Sequence, residues 1–305
     1  RLSDAEFFWN KDKTQNLVKK VSELKSMNFF KGLGTYFDKV QRMRKIGGMI
    51  SDELLISKEK VELSASICKT DLTSELVGEF PELQGILGGY FSIQQGFDKD
   101  VSLALSEQYL PIGLDSKTPR NSYSVALSIT DKIDTLVGFF GINEKPSSSK
   151  DPFALRRMAL GIIRTIIENK KDLKVNDLLN YSLGLYKDQG HNLINQDLQK
   201  DLQNFLKDRF RYYLKEKQIR YDIIDALVSN FSLNKLSSSF QKAKSLNKII
   251  NNQIGVDVTS SYKRASNILE GEMKNNKVEI LNTTDPGIFK TDFEKKKKKK
   301  INEIK

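Results

Sequence analysis

"DPFALRRMALGIIRTIIE", from Asp151 to Glu168, reads as one amphipathic helix. Asp151 supplies an N-cap carboxylate for the orphan N–H groups of the first turn, and Pro152 stands at the first helical position, where its missing N–H costs nothing. Leu155, Ala159, Ile162, Ile163, Ile166 and Ile167 recur at helical spacing and form one broad apolar face. Arg157 and Arg164, seven residues apart, project from a common face, with Arg156 about 100° round the helix from Arg157. Arg164 reaches Glu168 at i,i+4. A loop-like stretch, "EKPSSSK" (Glu144–Lys150), precedes the helix. Two uses of the arginine pair stay open: it meets an anion, or it holds that loop or an acidic neighbour.

The same pattern extends along most of the chain. Helices are expected over Asp12–Met27, Thr35–Met49, Lys58–Leu72, Leu76–Phe80 leading into Glu82–Gly88, Asp100–Gln108, Ser122–Phe139 and Pro152–Asn169. They continue over Val175–Tyr186, Gln196–Lys217, Arg220–Ser229, Leu236–Ile250 and Val258–Met273. Six prolines in 305 residues leave these segments uninterrupted, and strand-like alternation is confined to "KVEIL" (Lys277–Leu281). Loop signals at Pro111–Arg120, Lys145–Lys150, Asp188–Asn192 and Asn251–Gly255 separate the helices. No internal repeat is visible. The fold class is therefore all-α, with a boundary near Asp188–Asn195 dividing residues 1–190 from 191–305.

Composition narrows the partners. The net charge is +11 with 38% hydrophobic residues, which favours a polyanion, nucleic acid first, with an anionic membrane surface as competitor. No run approaches the 18 or more apolar residues of a membrane span, and "RLSDAEFFWNKDK" lacks the pattern of a signal peptide. The single cysteine, Cys68, excludes an internal disulfide framework and fits a reducing cytoplasm. The first residue is Arg1 rather than Met, so a piece of a longer protein is expected. Frequent Lys, Asn and Ile point to AT-rich coding, which discounts part of the charge. Six consecutive lysines, Lys295–Lys300, read as a solvated end or as non-specific phosphate attraction.

Catalytic constellations are sparse. The one histidine, His191, lies in a loop segment and reads as a polar loop residue. No Cys/His cluster suits zinc, and neither G-x-x-x-x-G-K-[ST] nor G-x-S-x-G occurs. "KGLGTYFDK" and "GILGGYF" lack the strand–turn–helix context of a phosphate loop. However, "ASICKTDL" (Ala65–Leu72), followed some sixty residues on by "ALSITDKIDTL" (Ala126–Leu136), resembles the HD metal-phosphohydrolase fold. In that resemblance Lys69 and Asp71 stand where a His-Asp pair belongs, and Asp131 or Asp134 stands for the distant Asp. A protonated lysine cannot ligate a divalent metal, so the resemblance implies a degenerate HD-like domain without a metal and without hydrolase chemistry.

Longer strings carry a second resemblance. "KTDLTSELVGEFPELQGILGGYF" (Lys69–Phe91), "SEQYLP" (Ser106–Pro111), "ALSITDKIDTLVGFFGI" (Ala126–Ile142), "KDPFALRRMALGIIRTIIE" (Lys150–Glu168), "DRFRYYLKEKQIRYDIIDALVS" (Asp208–Ser229) and "YKRASNIL" (Tyr262–Leu269) resemble the β subunit of bacterial-type glycyl-tRNA synthetase. The resemblance covers essentially the whole chain. It implies an aminoacyl-tRNA synthetase, a glycine-tRNA ligase assembled as an α2β2-type heterotetramer or an αβ fusion in the cytoplasm. Glycine activation with ATP and Mg2+ would belong to the alpha subunit, leaving this chain without a cofactor or a catalytic residue of its own. The chain would recognise glycine tRNA, with no membrane and no DNA partner. Residues 1–190 would be a degenerate HD-like domain with a short remnant of a preceding domain. Residues 191–305 would be an incomplete DALR-type anticodon-binding bundle, its likeness carried by Tyr262, Arg264, Asn267 and Ile268.

The resemblance favours tRNA phosphate as the anion met by Arg156, Arg157 and Arg164. In the second block Lys207, Arg209, Arg211, Lys215 and Lys217 stud one helix between Phe210, Tyr212 and Tyr213. Such interleaving grips phosphates and stacks on unpaired bases. Leu206, Phe210 and Tyr213 recur at i, i+4, i+7 and are expected in the core, leaving Tyr212 exposed. Lys263 and Arg264 complete the candidates, Arg264 being open to a structural role and Lys263 facing solvent. The competing readings are an HD-type metal phosphohydrolase and a non-catalytic helical assembly scaffold.

Overall fold

The computed structural model describes residues 2–250 and 252–275. In chain order these form α1 (Leu2–Asp12), α2 (Leu17–Lys20), a hairpin of β1 (Asn28–Phe30) and β2 (Gly34–Thr35), α3 (Tyr36–Leu54), α4 (Lys58–Ile67), α5 (Glu75–Glu79), α6 (Ile86–Gln94) and α7 (Lys99–Glu107). There follow α8 (Ser122–Gly141), α9 (Leu155–Glu168), α10 (Val175–Asp188), α11 (Leu198–Glu216), α12 (Tyr221–Ser229), α13 (Leu236–Ile250) and α14 (Gln253–Asn275). The protein is all-α apart from the hairpin, among the described residues. Two units divide the chain, Arg1–Asn247 and Lys248–Lys305.

The first unit is built round α8. Every residue from Ser124 to Gly141 is buried, as befits a helix with neighbours on all sides. α3, α4, α7, α9, α10 and α11 surround it. The boundary expected at 190/191 falls inside this unit, where α11 lies against α8 and α9. In the second unit α14 leaves Ile254, Val258, Tyr262 and Ile268 exposed. The segments Lys277–Leu281 and Lys295–Lys300 lie outside the described residues.

Several local expectations are corrected. The stretch Asp12–Met27 is not one helix. α1 ends at Asp12, whose carboxylate accepts from Leu76 N (2.9 Å) at the start of α5. The chain then restarts at Asn16, which caps α2 by accepting from Lys19 N (3.0 Å). "ILGGYFSIQ" is helical as α6 although it holds two adjacent glycines. Packing explains them: a Cβ on Gly89 would sit 1.8 Å from Ser106 Oγ and 2.9 Å from the Ser102 carbonyl oxygen of α7. The hairpin arises at "NFFKGLGT", where Gly32 and Gly34 take φ of +86° and +79° in the turn. Thr35 and Asp38 then form a reciprocal capping box on α3, so this helix start is satisfied by its own side chains.

The helix of the opening stretch begins later than expected. Pro152, Phe153 and Ala154 form a turn, with Ala154 left-handed at φ 55°, and α9 starts at Leu155. Phe153 stacks on Phe139 at 4.3 Å between centroids, which holds the turn against α8. Asp151 still caps the helix across that turn: its two oxygens accept from Leu155 N (2.8 Å) and Arg156 N (3.0 Å).

Candidate functional site

A cluster of buried charges converges on α8. From α3, Lys39 and Arg42 point inward; from the end of α4 comes Lys69; from α8 come Asp131, Lys132 and Asp134; from α10 comes Tyr186, all of them buried. Lys69 Nζ lies 3.0 Å from Asp131 Oδ1, and Lys39 Nζ lies 3.2 Å from the same oxygen. Lys39 also pairs with Asp134 Oδ2 at 3.2 Å and donates to Thr135 Oγ1 at 2.8 Å. Arg42 grips Asp134 through Nε (2.6 Å) and Nη2 (3.1 Å), donates to Gln189 Oε1 (2.6 Å) and lies over the Tyr186 ring at 3.7 Å. Three cations thus share two carboxylates.

Electrostatics follow from that crowding. Burial opposes ionisation of Asp131 and Asp134, but the adjoining cations outweigh it and hold both carboxyls below the usual range. Burial likewise works against the Lys69 ammonium, yet Asp131 beside it lifts its pKa well above the lysine norm. Lys69 also donates to Gln108 Oε1 and Tyr109 Oη, both at 2.8 Å. Lys132 has the opposite fate. Burial pushes it down to about 7, Asp131 offsets this in part, and Lys69 adds repulsion. Its Nζ donates to the Leu110 carbonyl and to Ser128 Oγ, both at 2.8 Å.

Lys69 and Asp131, 62 residues apart in sequence, are thus brought into direct contact, while Asp71 is not part of the group. Asp71 Oδ2 accepts from Gly85 N at 2.5 Å and pins the turn into α6. Burial raises its pKa, against the pull of that N–H and of Lys69. A divalent ion does not fit this donor set: two ammonium groups already face the Asp131 oxygen a metal would need. Among the described residues no group of three or more His, Cys, Asp or Glu side chains is placed to hold a metal ion. Sequence reasoning missed Lys39, Arg42 and Tyr186. The signal available was that Lys39 and Arg42 interrupt the apolar stripe of Val40, Met43, Ile46 and Ile50 on α3. His191, read as a polar loop residue, packs edge-on against Tyr186 at 5.6 Å and close to Gly34. Burial lowers its pKa, and Arg42 adds to that.

The candidate arginines divide by what they touch. Arg156 donates to the Ser147 and Lys150 carbonyls, so it holds the Glu144–Lys150 loop. Arg164 pairs with Glu168 Oε1 (3.0 Å) and donates to the carbonyls of Gly113 (2.8 Å), Leu114 (2.7 Å) and Ser116 (2.8 Å). It clamps the loop before α8. Arg157 is exposed and makes no hydrogen bond or ion pair among the described residues. On α11, Leu206, Phe210 and Tyr213 are buried as expected. Tyr212 is half-buried beneath Arg209, 5.8 Å from guanidinium to ring, and Arg211 lies 3.8 Å from Asp225. Lys263 and Arg264 are both exposed on α14. Among the described residues no helix is long and apolar enough to cross a membrane.

The model of the family described as glycyl-tRNA synthetase beta subunit matches residues 1–229. The glycine–tRNA ligase beta subunit of Rickettsia canadensis is 40% identical over 297 residues, 97% of this chain and 42% of that protein. Its counterpart in Rhodospirillum centenum is 37% identical over 277 residues, 90% of this chain and 38% of that protein. That of Cereibacter sphaeroides is 34% identical over 299 residues, 97% and 43% of the two chains. The chain spans about two fifths of the length of the curated relatives it matches.

Proposed function

The chain belongs to the glycyl-tRNA synthetase beta subunit family, and on that premise we propose that it is a tRNA-recognising part of a cytoplasmic glycine-tRNA ligase. It supports attachment of glycine to glycine tRNA, while an alpha subunit carries the adenylation site with its ATP and Mg2+. The α8-centred helices act as a degenerate HD-like body, and the helices after His191 begin a DALR-type anticodon-binding part.

The observation that carries a binding role rather than a catalytic one is the state of the buried acids. Asp131 and Asp134 are neutralised by Lys39, Arg42 and Lys69, so neither is free to activate water or hold a metal. Cations stand at the surface instead: Arg157 on α9, Lys215 and Lys217 at the end of α11, and Lys263 and Arg264 on α14. Exposed cations without carboxylate partners among the described residues suit phosphate, which fixes position and register without reading bases.

The test is the affinity of the full-length chain, with its alpha subunit, for glycine tRNA and for a non-cognate tRNA at two salt concentrations. A cognate preference that survives moderate salt is expected. Arg157→Ala should lower the slope of log affinity against log salt by about one. Equal binding of both tRNAs, erased together by salt, would refute tRNA recognition by this chain.

A further inference from the structure

The ends of α9 and α11 and the body of α13 enclose a pocket of about 360 Å³. That volume lies at the low end of the about 300–1,000 Å³ of small-ligand sites. Its floor is aromatic: Tyr213 and Phe240 meet at 5.4 Å between centroids with 56° between their planes, and so form a corner. Ile167 and Ile219 continue the apolar wall. Three lysines stand at the rim: Lys170 in the turn after α9, Lys217 in the turn after α11, and Lys244 on α13. All three are exposed, and none pairs with a carboxylate among the described residues. Lys217 Nζ lies over the Tyr213 ring at 5.4 Å, so charge and aromatic face are presented together.

Two polar groups on the wall are uncommitted. Tyr213 is 4% exposed, yet its hydroxyl makes no hydrogen bond among the described residues, and a buried hydroxyl calls for a partner. Burial pushes its pKa up to about 12, with Glu168 adding to the rise and Arg164 opposing it, so the phenol keeps its proton and can donate. The Gln241 amide, also without a hydrogen bond among the described residues, offers both donors and an acceptor. Glu168 is the one acid among the lining residues, and it is already engaged by Arg164 (3.0 Å), Thr118 Oγ1 (2.9 Å) and Arg120 (3.4 Å).

This layout selects among anions. An inorganic anion would use the lysines and leave the corner idle. A lipid tail would fill the corner and leave the Tyr213 hydroxyl and Gln241 without partners. A phosphotyrosine ring has no polar edge for Gln241. A nucleotide uses every part: a flat base for the aromatic faces, a polar base edge for the hydroxyl and the amide, and a phosphate for the cations.

We propose that this pocket holds a single nucleotide, its base against the Tyr213–Phe240 corner and its phosphate met by Lys170, Lys217 and Lys244. A free nucleotide and an unpaired residue of an RNA strand share this chemistry. The inference stands apart from the preceding reading, which requires discrimination between tRNAs, whereas this one requires only a nucleotide.

The test is photo-crosslinking of the full-length protein to single-stranded oligoribonucleotides carrying 4-thiouridine or 6-thioguanosine, with the attachment site read by mass spectrometry. Crosslinks are expected in the peptides that hold Tyr213 or Phe240. UMP, GMP and inorganic phosphate are added as competitors in separate arms. Protection by a mononucleotide extends the site to free nucleotides, and a pocket crosslink that mononucleotides leave unchanged restricts it to a residue within RNA; both support the proposal. Lys217→Glu and Lys244→Glu, at exposed positions, should each lower oligonucleotide affinity by at least about tenfold. Tyr213→Phe, which removes only the hydroxyl, should lower it about threefold. Lys187→Glu, exposed on α10 and not among the lining residues, should change it less than about twofold. Crosslinks wholly outside the pocket, or none on this chain, overturn the proposal. So does protection by phosphate equal to that by the mononucleotides, or an equal loss in Lys187→Glu, since charge alone would then account for binding. A pocket crosslink without any preference for glycine tRNA would refute the preceding reading and leave this one standing.

Discussion

Replacing Asp134 by alanine should be among the most damaging single changes in the protein. The carboxylate is fully buried and accepts from Arg42 Nε (2.6 Å), Arg42 Nη2 (3.1 Å) and Lys39 Nζ (3.2 Å). Once it is gone, Lys39 keeps Asp131 at 3.2 Å and Thr135 at 2.8 Å. Arg42 keeps only Gln189 and Tyr186, both neutral. The loss is therefore set by one orphaned guanidinium in the core, and breaking a buried pair in this way costs about 3–5 kcal/mol. That is a large share of the ~5–15 kcal/mol that a domain has in total. Removing both partners together, as Arg42→Met with Asp134→Leu, leaves neither of these two charges without the other, so the double variant should be more stable than the sum of its single changes by at least ~2 kcal/mol. Urea unfolding followed by far-UV circular dichroism measures all three. If Asp134→Ala costs less than about 1 kcal/mol, or if the double variant is simply additive, the two charges do not depend on one another and the reasoning fails.

Acid should act through the same groups. The carboxyls of Asp131 and Asp134 are held below their ordinary value, so their contribution is complete above the unfolded-chain value of about 3.9 and is lost as pH falls through the folded one. The melting temperature should therefore drop steeply below about pH 4, and Asp134→Asn should flatten that drop. An equally steep drop in the variant would count against it. Gly89→Ala should lower stability by about 1–3 kcal/mol, because Ser106 can turn aside but the Ser102 backbone oxygen, 2.9 Å from the new Cβ, cannot; a melting temperature equal to wild type would contradict that packing. Cys68 is completely buried and its thiol is pushed up to about 12 by burial. It should resist thiol reagents at pH 8 in the native protein and react only in denaturant; prompt native labelling would show that α4 opens.

Much of the helical framework could be read from local pattern. α13 has the bounds that its periodicity indicates, Leu236–Ile250, and the core stripe of Leu206, Phe210 and Tyr213 lies where its spacing puts it. The amphipathic face of α9 is likewise as expected, because apolar recurrence every 3.6 residues is a property of one segment and needs no partner to be seen. Local rules failed where distant backbone decides. The helix expected to end at Gly88 runs on to Gln94 because α7 lies close against Gly89. Pro152 looks like a helix start until Phe153 is drawn onto Phe139.

Tertiary structure alone assigned the charges. Lys69 and Asp131 could be paired through a family likeness, but that likeness gave no place to Lys39 or Arg42, and it set Asp71 beside Lys69. The arginines of the opening stretch share one residue type and one helix. Arg156 and Arg164 are taken up by loop carbonyls, and of the three Arg157 alone has no partner among the described residues. Periodicity states which way a side chain leaves its own helix. Which carboxylate or carbonyl waits there is set by the crossing of helices far apart in sequence, and in a buried, low-dielectric site that meeting decides whether a charge is held as structure or left for a partner.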